Sequence, residues 1–161
     1  MAADDIEVAV QFASDAAGIP DRATIRDWVH DAIAAHGERG TSASEVSVRI
    51  VDEPEMRRLN SDYRSKDSST NVLSFPAEPV SGLPSDVPSS LGDVVVCAPV
   101  VAREAREQGK TVDAHWAHML VHGTLHLLGY DHILPAEAQQ MEAMELRILS
   151  QRGLENPYKL T

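Results

Sequence analysis

Cysteine is almost absent from this 161-residue chain, aromatic rings are few, and positive charge is scarce. The single cysteine, Cys97, can close no internal disulfide and build no thiolate metal site, and a reducing compartment suits it best. No run of residues approaches the roughly 18 apolar positions that a membrane-crossing helix needs. The N-terminus carries Asp4, Asp5 and Glu7 where a secretory leader would need a basic start and an apolar stretch. A soluble, cytoplasmic protein with no membrane partner is expected. Lysine and arginine total 14 against 25 acidic residues, a formal net charge of −11. Because phosphate binding is mostly cation-driven, this balance argues against a generic nucleic-acid coat, and DNA is not an expected partner. A local basic groove remains compatible with it. Arg57, Arg58, Arg64 and Lys66 crowd one short segment, which on composition alone reads as a solvated helix face.

What is present suits one domain over 1–161, since a chain of this length supports a single core. Hydrophobic residues make up 43%, enough for a packed interior. Ile6, Val8, Val10 and Phe12 alternate as in a half-buried strand, and Val46, Val48 and Ile50 repeat the pattern. Between them Pro20 opens a helical stretch in which Ile25, Trp28, Val29 and Ile33 share a face, with Gly37 beyond its end. Pro54 starts a short helix through Met56 and Leu59, and Val72, Leu73 and Phe75 form a strand closed by Pro76. From 76 to 90, four prolines and four serines leave little to bury, so a surface loop is expected there. Val94, Val95, Val96 and Cys97 run without alternation, as in a strand covered on both faces. Helices are expected at about 98–108, 112–128 and 136–152, with tails at 1–4 and 154–161. Strands and helices interleave without the regular alternation of a doubly wound sheet. The fold class is therefore α+β, one small mixed sheet packed with about five helices.

Five of the seven histidines lie between His115 and His132. The helix expected over 112–128 is apolar nearly all round, hence central and buried, and His115, His118, His122 and His126 interrupt it in one stripe. Buried imidazoles need partners for both nitrogens, and a shared metal ion supplies one. His122 and His126 stand one helical turn apart, Gly129 can end the helix in a left-handed cap, and His132 follows three residues later. The pattern His-x3-His-x2-Gly-x2-His makes His122, His126 and His132 the candidate ligands of one divalent ion, with zinc expected. His118 lies about 12 Å from His126 along the axis at about 1.5 Å per residue, too far to share that ion. It reads as a bonded neighbour of the site, and His115 as structural or surface. Three protein ligands leave one coordination position open, the mark of a catalytic zinc. A zincin protease places a glutamate directly after the first histidine; here Gly123 stands in its place, which argues against peptide hydrolysis. Asp131 is a candidate base, and more readily a carboxylate that orients a ligand histidine.

Two stretches, L-N-S-D-Y-R-S-K-D-S-S-T-N-V-L-S-F-P at 59–76 and H-G-T-L-H-L-L-G-Y-D-H at 122–132, together resemble the YbeY family of bacterial ribosomal-RNA maturation endoribonucleases. The short L-G-D-V-V-V at 91–96 looks like the family's third signature, and order and spacing agree over roughly 45–150. The resemblance implies an α+β fold, a zinc-type ion on His122, His126 and His132, and a functional arginine, here Arg64, beside the metal cleft. It implies single-strand-directed RNA cleavage in small-subunit rRNA 3′-end maturation and ribosome quality control. The implied partners are an rRNA precursor and the small ribosomal subunit with its proteins. Taken alone, the basic segment does not decide, since Asp62, Asp67, Thr70 and Asn71 suit helix and turn caps and Arg64 suits a salt bridge. Two rival readings keep the metal: a non-catalytic, metal-stabilised assembly factor, and a hydrolase of another substrate.

Overall fold

A computed structural model of the chain describes residues 6–36, 45–77 and 89–158. The expected turn at Gly37, the body of the 76–90 loop and the 1–4 tail lie outside those residues. In chain order the elements are β1 (Glu7–Phe12), α1 (Arg22–His36), β2 (Glu45–Val51), α2 (Glu53–Arg64), β3 (Val72–Pro76), β4 (Ser90–Cys97), α3 (Ala98–Gln108), α4 (Val112–Leu127) and α5 (Pro135–Gln151). The four strands make one sheet in the order β1-β2-β4-β3, parallel throughout except for β3, which runs antiparallel to β4. This is the small mixed sheet of an α+β fold.

Each face of the sheet buries a separate set of side chains. Val8, Val10, Val46, Val48, Ile50, Val94 and Val96 pack under α1, α4 and α5. On the opposite face Val51, Leu73, Val95 and Cys97 pack with Met56 of α2 and Val100 of α3. That division explains the unbroken apolar run of β4, whose successive side chains serve two interiors in turn. Burial in the second interior raises the Cys97 thiol to about 11, so it remains protonated at neutral pH and acts as a small apolar filler. β1 departs from its pattern at one point. Phe12, the last residue of the strand, is 43% exposed, its ring covered in part by the guanidinium of Arg22 at the start of α1, 5.4 Å from the ring centre.

Helix α4 is the central element, buried on nearly every side as its sequence demands. Its N-terminus is capped by Thr111, whose hydroxyl accepts the Ala114 N–H at 3.1 Å. It contacts α1, α3, α5 and both strands β3 and β4. The contact with the sheet passes through Gly123. A Cβ at that position would stand 2.7 Å from Val94 Cγ1 and 3.1 Å from Val72 Cγ2, and Ser74 Oγ donates to the Gly123 carbonyl at 2.8 Å. Helix and sheet therefore meet backbone to side chain, with no room for even a methyl group. A Gly123→Ala protein should lose about 1–2 kcal/mol of unfolding free energy in urea denaturation, overpacking outweighing the roughly 1 kcal/mol that alanine gains in helical propensity.

Candidate functional site

The lower half of α4 carries two of the candidate ligands, and the turn after it returns the third. The helix ends in a Schellman closure: the Tyr130 N–H donates to the Leu125 carbonyl at 3.0 Å, with Gly129 at φ 103°. A side chain at Gly129 would meet no neighbour, so the glycine is required by backbone conformation alone. The hydroxyl of Tyr130 lies 3.1 Å from Nδ1 of His36 and ties this turn to α1. Asp131 then accepts the backbone N–H of His132 at 2.7 Å, holding the main chain that presents the third imidazole.

These devices bring His122, His126 and His132 together. Ring centroids are 4.6 Å apart for His122 and His126, 5.0 Å for His126 and His132, and 5.5 Å for His122 and His132. One nitrogen from each lies within 4.8 Å of the others, and the Nε2 atoms of His122 and His126 face one another at 3.1 Å. The donor set suits a borderline cation such as zinc, which takes imidazole nitrogen readily. The first two rings are half-buried and the third is exposed, so the group opens to solvent on one side.

That side is a cavity of about 600 Å³ lined by the three histidines, Asp131, Arg64, Asn71, Ser74 and neighbours. Arg64 enters from the last residue of α2, where Ser65 takes the left-handed conformation at φ 57° and ends the helix. Among the described residues Arg64 makes no ion pair. Its basic neighbour Arg57 is bound to Asp67 at 2.7 Å, and Arg49 to Glu55 at 2.6 Å. The salt bridge that would have made Arg64 merely structural is absent from this set, whereas Arg57 and Asp67 do form one. Lys66 does not line the cavity. Asn71 spans two tasks, accepting the Val72 N–H at 2.7 Å and donating to Glu104 at 3.1 Å.

The remaining two histidines of the stripe are both buried and both face a carboxylate. Nε2 of His115 lies 2.9 Å from Glu104, and Nε2 of His118 lies 2.6 Å from Glu145 Oε2. Glu145, on α5, is 1% exposed and also lies 3.4 Å from Nδ1 of His122, while its other oxygen accepts the Tyr158 hydroxyl at 2.9 Å. His118, His122 and Glu145 form a second group with the spacing of a cation site. Sequence reasoning missed Glu145 and Tyr158. A signal existed for the first: Glu145 falls on the apolar stripe of α5, one turn after Met141 and one before Ile148 and Leu149, where a charge is out of place. Tyr158 carried none, lying in a segment that reads as a tail until the chain folds back.

Residues 9–153 match the family described as Endoribonuclease YbeY. The chain is 54% identical over 155 residues to the Endoribonuclease YbeY of Halorhodospira halophila, covering 96% of this chain and 97% of that one. It belongs to the YbeY family. A second YbeY relative, from Alkalilimnicola ehrlichii, is 56% identical over 144 residues, 89% of this chain and 85% of its own. Among solved structures, that of TM1509 from Thermotoga maritima is similar in fold, with a TM-score of 0.53 at 23% identity, over 94% of this chain and 99% of that one.

Burial favours the neutral imidazole at two positions of the stripe, His115 and His126. Burial lowers the pKa of His115 despite the hydrogen bond to Glu104, and burial with the neighbouring His122 and His132 lowers that of His126. Burial pushes the Glu145 carboxyl up, but the imidazoles of His118 and His122 facing it outweigh this and hold the group at about 2. All three folded values lie below the unfolded ones, so each contribution is complete above the unfolded pKa and is lost as pH falls toward the folded one. Metal-free protein should therefore lose stability in two stages. The first begins below pH 6.5, the ordinary histidine value, and the second below pH 4.5, the ordinary glutamate value. Urea midpoints measured from pH 8 downward would check this; a midpoint constant through both ranges would contradict it.

Proposed function

We propose that the three-histidine cavity is the active site of a metal-dependent endoribonuclease acting on single-stranded RNA. The observation that carries this reading is the convergence on one open cavity of three imidazoles and an arginine that makes no ion pair among the described residues, in a chain whose family is described as an endoribonuclease. His122, His126 and His132 would hold one divalent ion, zinc being the best match to three nitrogen donors. When bound, such an ion supplies Lewis acidity toward a phosphoryl oxygen and makes water easier to ionise.

The chain's own residues do the rest. Arg64, without a carboxylate partner among the described residues, binds the non-bridging oxygens of a phosphodiester through its planar fork and stabilises the charge that develops on them. Asp131 holds the His132 main chain, so the third ring keeps its place as substrate enters. Gly123 leaves no space for a protease-type glutamate beside His122: Val94, Val72 and Ser74 already occupy it. Peptide hydrolysis by that route is disfavoured by packing as well as by residue type.

The net charge of −11 supports a narrow, locally basic entry rather than a broad electrostatic surface, with further affinity drawn from protein partners. The substrate that fits this reading is the 3′ end of a small-subunit rRNA precursor, met on the small ribosomal subunit in the cytoplasm, with ribosome quality control as the same activity turned on defective particles. No helix among the described residues is long and apolar enough to cross a membrane.

Metal-loaded protein should cut a single-stranded RNA oligonucleotide, and Arg64→Ala should cut it about 10²–10³-fold more slowly with metal content unchanged, the loss typical of one charge-stabilising donor. His132→Ala should lose both metal and activity by elemental analysis and gel assay. Equal cleavage by all three proteins would mean a contaminant.

A further inference from the structure

The carboxylate of Glu145 is nearly inaccessible, at 1% exposure, yet three donor-bearing groups surround it. Nε2 of His118 approaches Oε2 at 2.6 Å, Nδ1 of His122 faces the same oxygen at 3.4 Å, and the Tyr158 hydroxyl donates to Oε1 at 2.9 Å. Burying an ionised carboxylate is costly unless donors compensate it, and among the described residues no lysine or arginine does so. A stabilising role alone would be served as well by an apolar residue continuing the stripe of Met141, Ile148 and Leu149. The placement of this charge behind His122 calls for a different reason.

We propose that Glu145 is a positioning residue: it holds His122 in the tautomer protonated at Nδ1, leaving the Nε2 lone pair aimed at the point where His126 and His132 converge. The inference rests on the metal reading of those three histidines. A carboxylate can only accept, so the nitrogen facing it must carry the proton. Nδ1 of His122 is buried and makes no hydrogen bond among the described residues; the Glu145 oxygen at 3.4 Å is the acceptor that faces it. Nε2 of His122 then faces Nε2 of His126 at 3.1 Å. Such carboxylate–histidine pairs fix ring orientation and raise the basicity of a metal-binding imidazole. His118 and Tyr158 complete the arrangement. Each engages the carboxylate directly and keeps it from rotating away, which gives the C-terminal segment a part in the site.

The same three groups, His118, His122 and Glu145, also have the spacing of a second cation site. The 2.6 Å separation of His118 Nε2 and Glu145 Oε2 is too short for two atoms to share an ion at about 2.0–2.2 Å from each in tetrahedral geometry, and the Tyr158 hydroxyl occupies the other carboxylate oxygen. One ion per chain is expected, not two.

Three measurements decide the matter. Long-range proton–nitrogen spectra of metal-free wild type should show His122 protonated at Nδ1, and Glu145→Gln should shift it toward a mixture, because a neutral amide can present a donor as well as an acceptor. Cobalt affinity, measured by competition with a chromophoric chelator, should fall about 10- to 100-fold in Glu145→Gln, with the urea midpoint of the metal-free variant recorded beside it. Elemental analysis should give one ion per chain in wild type. Glu145→Gln preserves shape, so the test survives if Glu145→Ala fails to fold. Wild-type His122 protonated at Nε2, or a Glu145→Gln affinity within twofold of wild type, would overturn this inference alone. Two ions in wild type and one in Glu145→Gln would replace it with a second metal site. A wild type that binds no ion at all would overturn the metal reading beneath it as well.

Discussion

The imidazoles of His122, His126 and His132 are held with one nitrogen of each within 4.8 Å of the others, and much of the surrounding structure serves that convergence. Rings free to rotate would spend most of their time elsewhere, so the first two are set one turn apart on α4, a helix enclosed by α1, α3, α5 and the sheet. The third comes from a turn whose path is set by Gly129 in a conformation other residues avoid, by Tyr130 against His36, and by the Asp131 contact to the His132 backbone. Rigidity is thus supplied to each ring by a different device. The helix supplies packing; the turn supplies hydrogen bonds.

Close approach of α4 to the sheet is the second constraint, and it links fold to specificity. With no side chain at Gly123, Val94 and Val72 lie against the helix backbone, and Ser74 bonds to its carbonyl. β3 is thereby drawn alongside the histidines, and with it the Thr70–Ser74 wall of the cavity. The same contact that assembles the wall excludes a glutamate at the position a zinc protease uses. Packing and chemistry are decided by one missing methyl group.

Charge is arranged inside the site with comparable economy. The protein is strongly acidic, yet Arg64 faces the cavity without an ion pair among the described residues, while Arg49, Arg57, Arg103 and Arg152 are each matched to a carboxylate. Behind the imidazoles the two buried histidines of the stripe are matched to Glu104 and Glu145. Arg64 and Asp131 both line the open cavity, while Glu104 and Glu145 face the buried histidines on the closed side.

Local signals determined much of this protein before any contact was known. The period of apolar residues marked out the long helices to within a residue or two, because each buries one face, whereas α2 runs five residues past Leu59 and β4 begins four before Val94, where the sequence turns polar. The spacing of His122, His126, Gly129 and His132 showed that the rings could meet, since a helical turn and a glycine bend are short-range geometry. Long-range facts were closed to it. Nothing local to Phe12 indicates that its ring stays exposed under Arg22, and nothing near Tyr158 indicates that it returns to a helix 40 residues earlier in the chain. That Arg64 escapes the salt bridge which Arg57 makes, and that Glu145 lies behind His122, depend on how separate elements stack. Periodicity tells which side of an element is buried; only the packed tertiary structure decides what it is buried against.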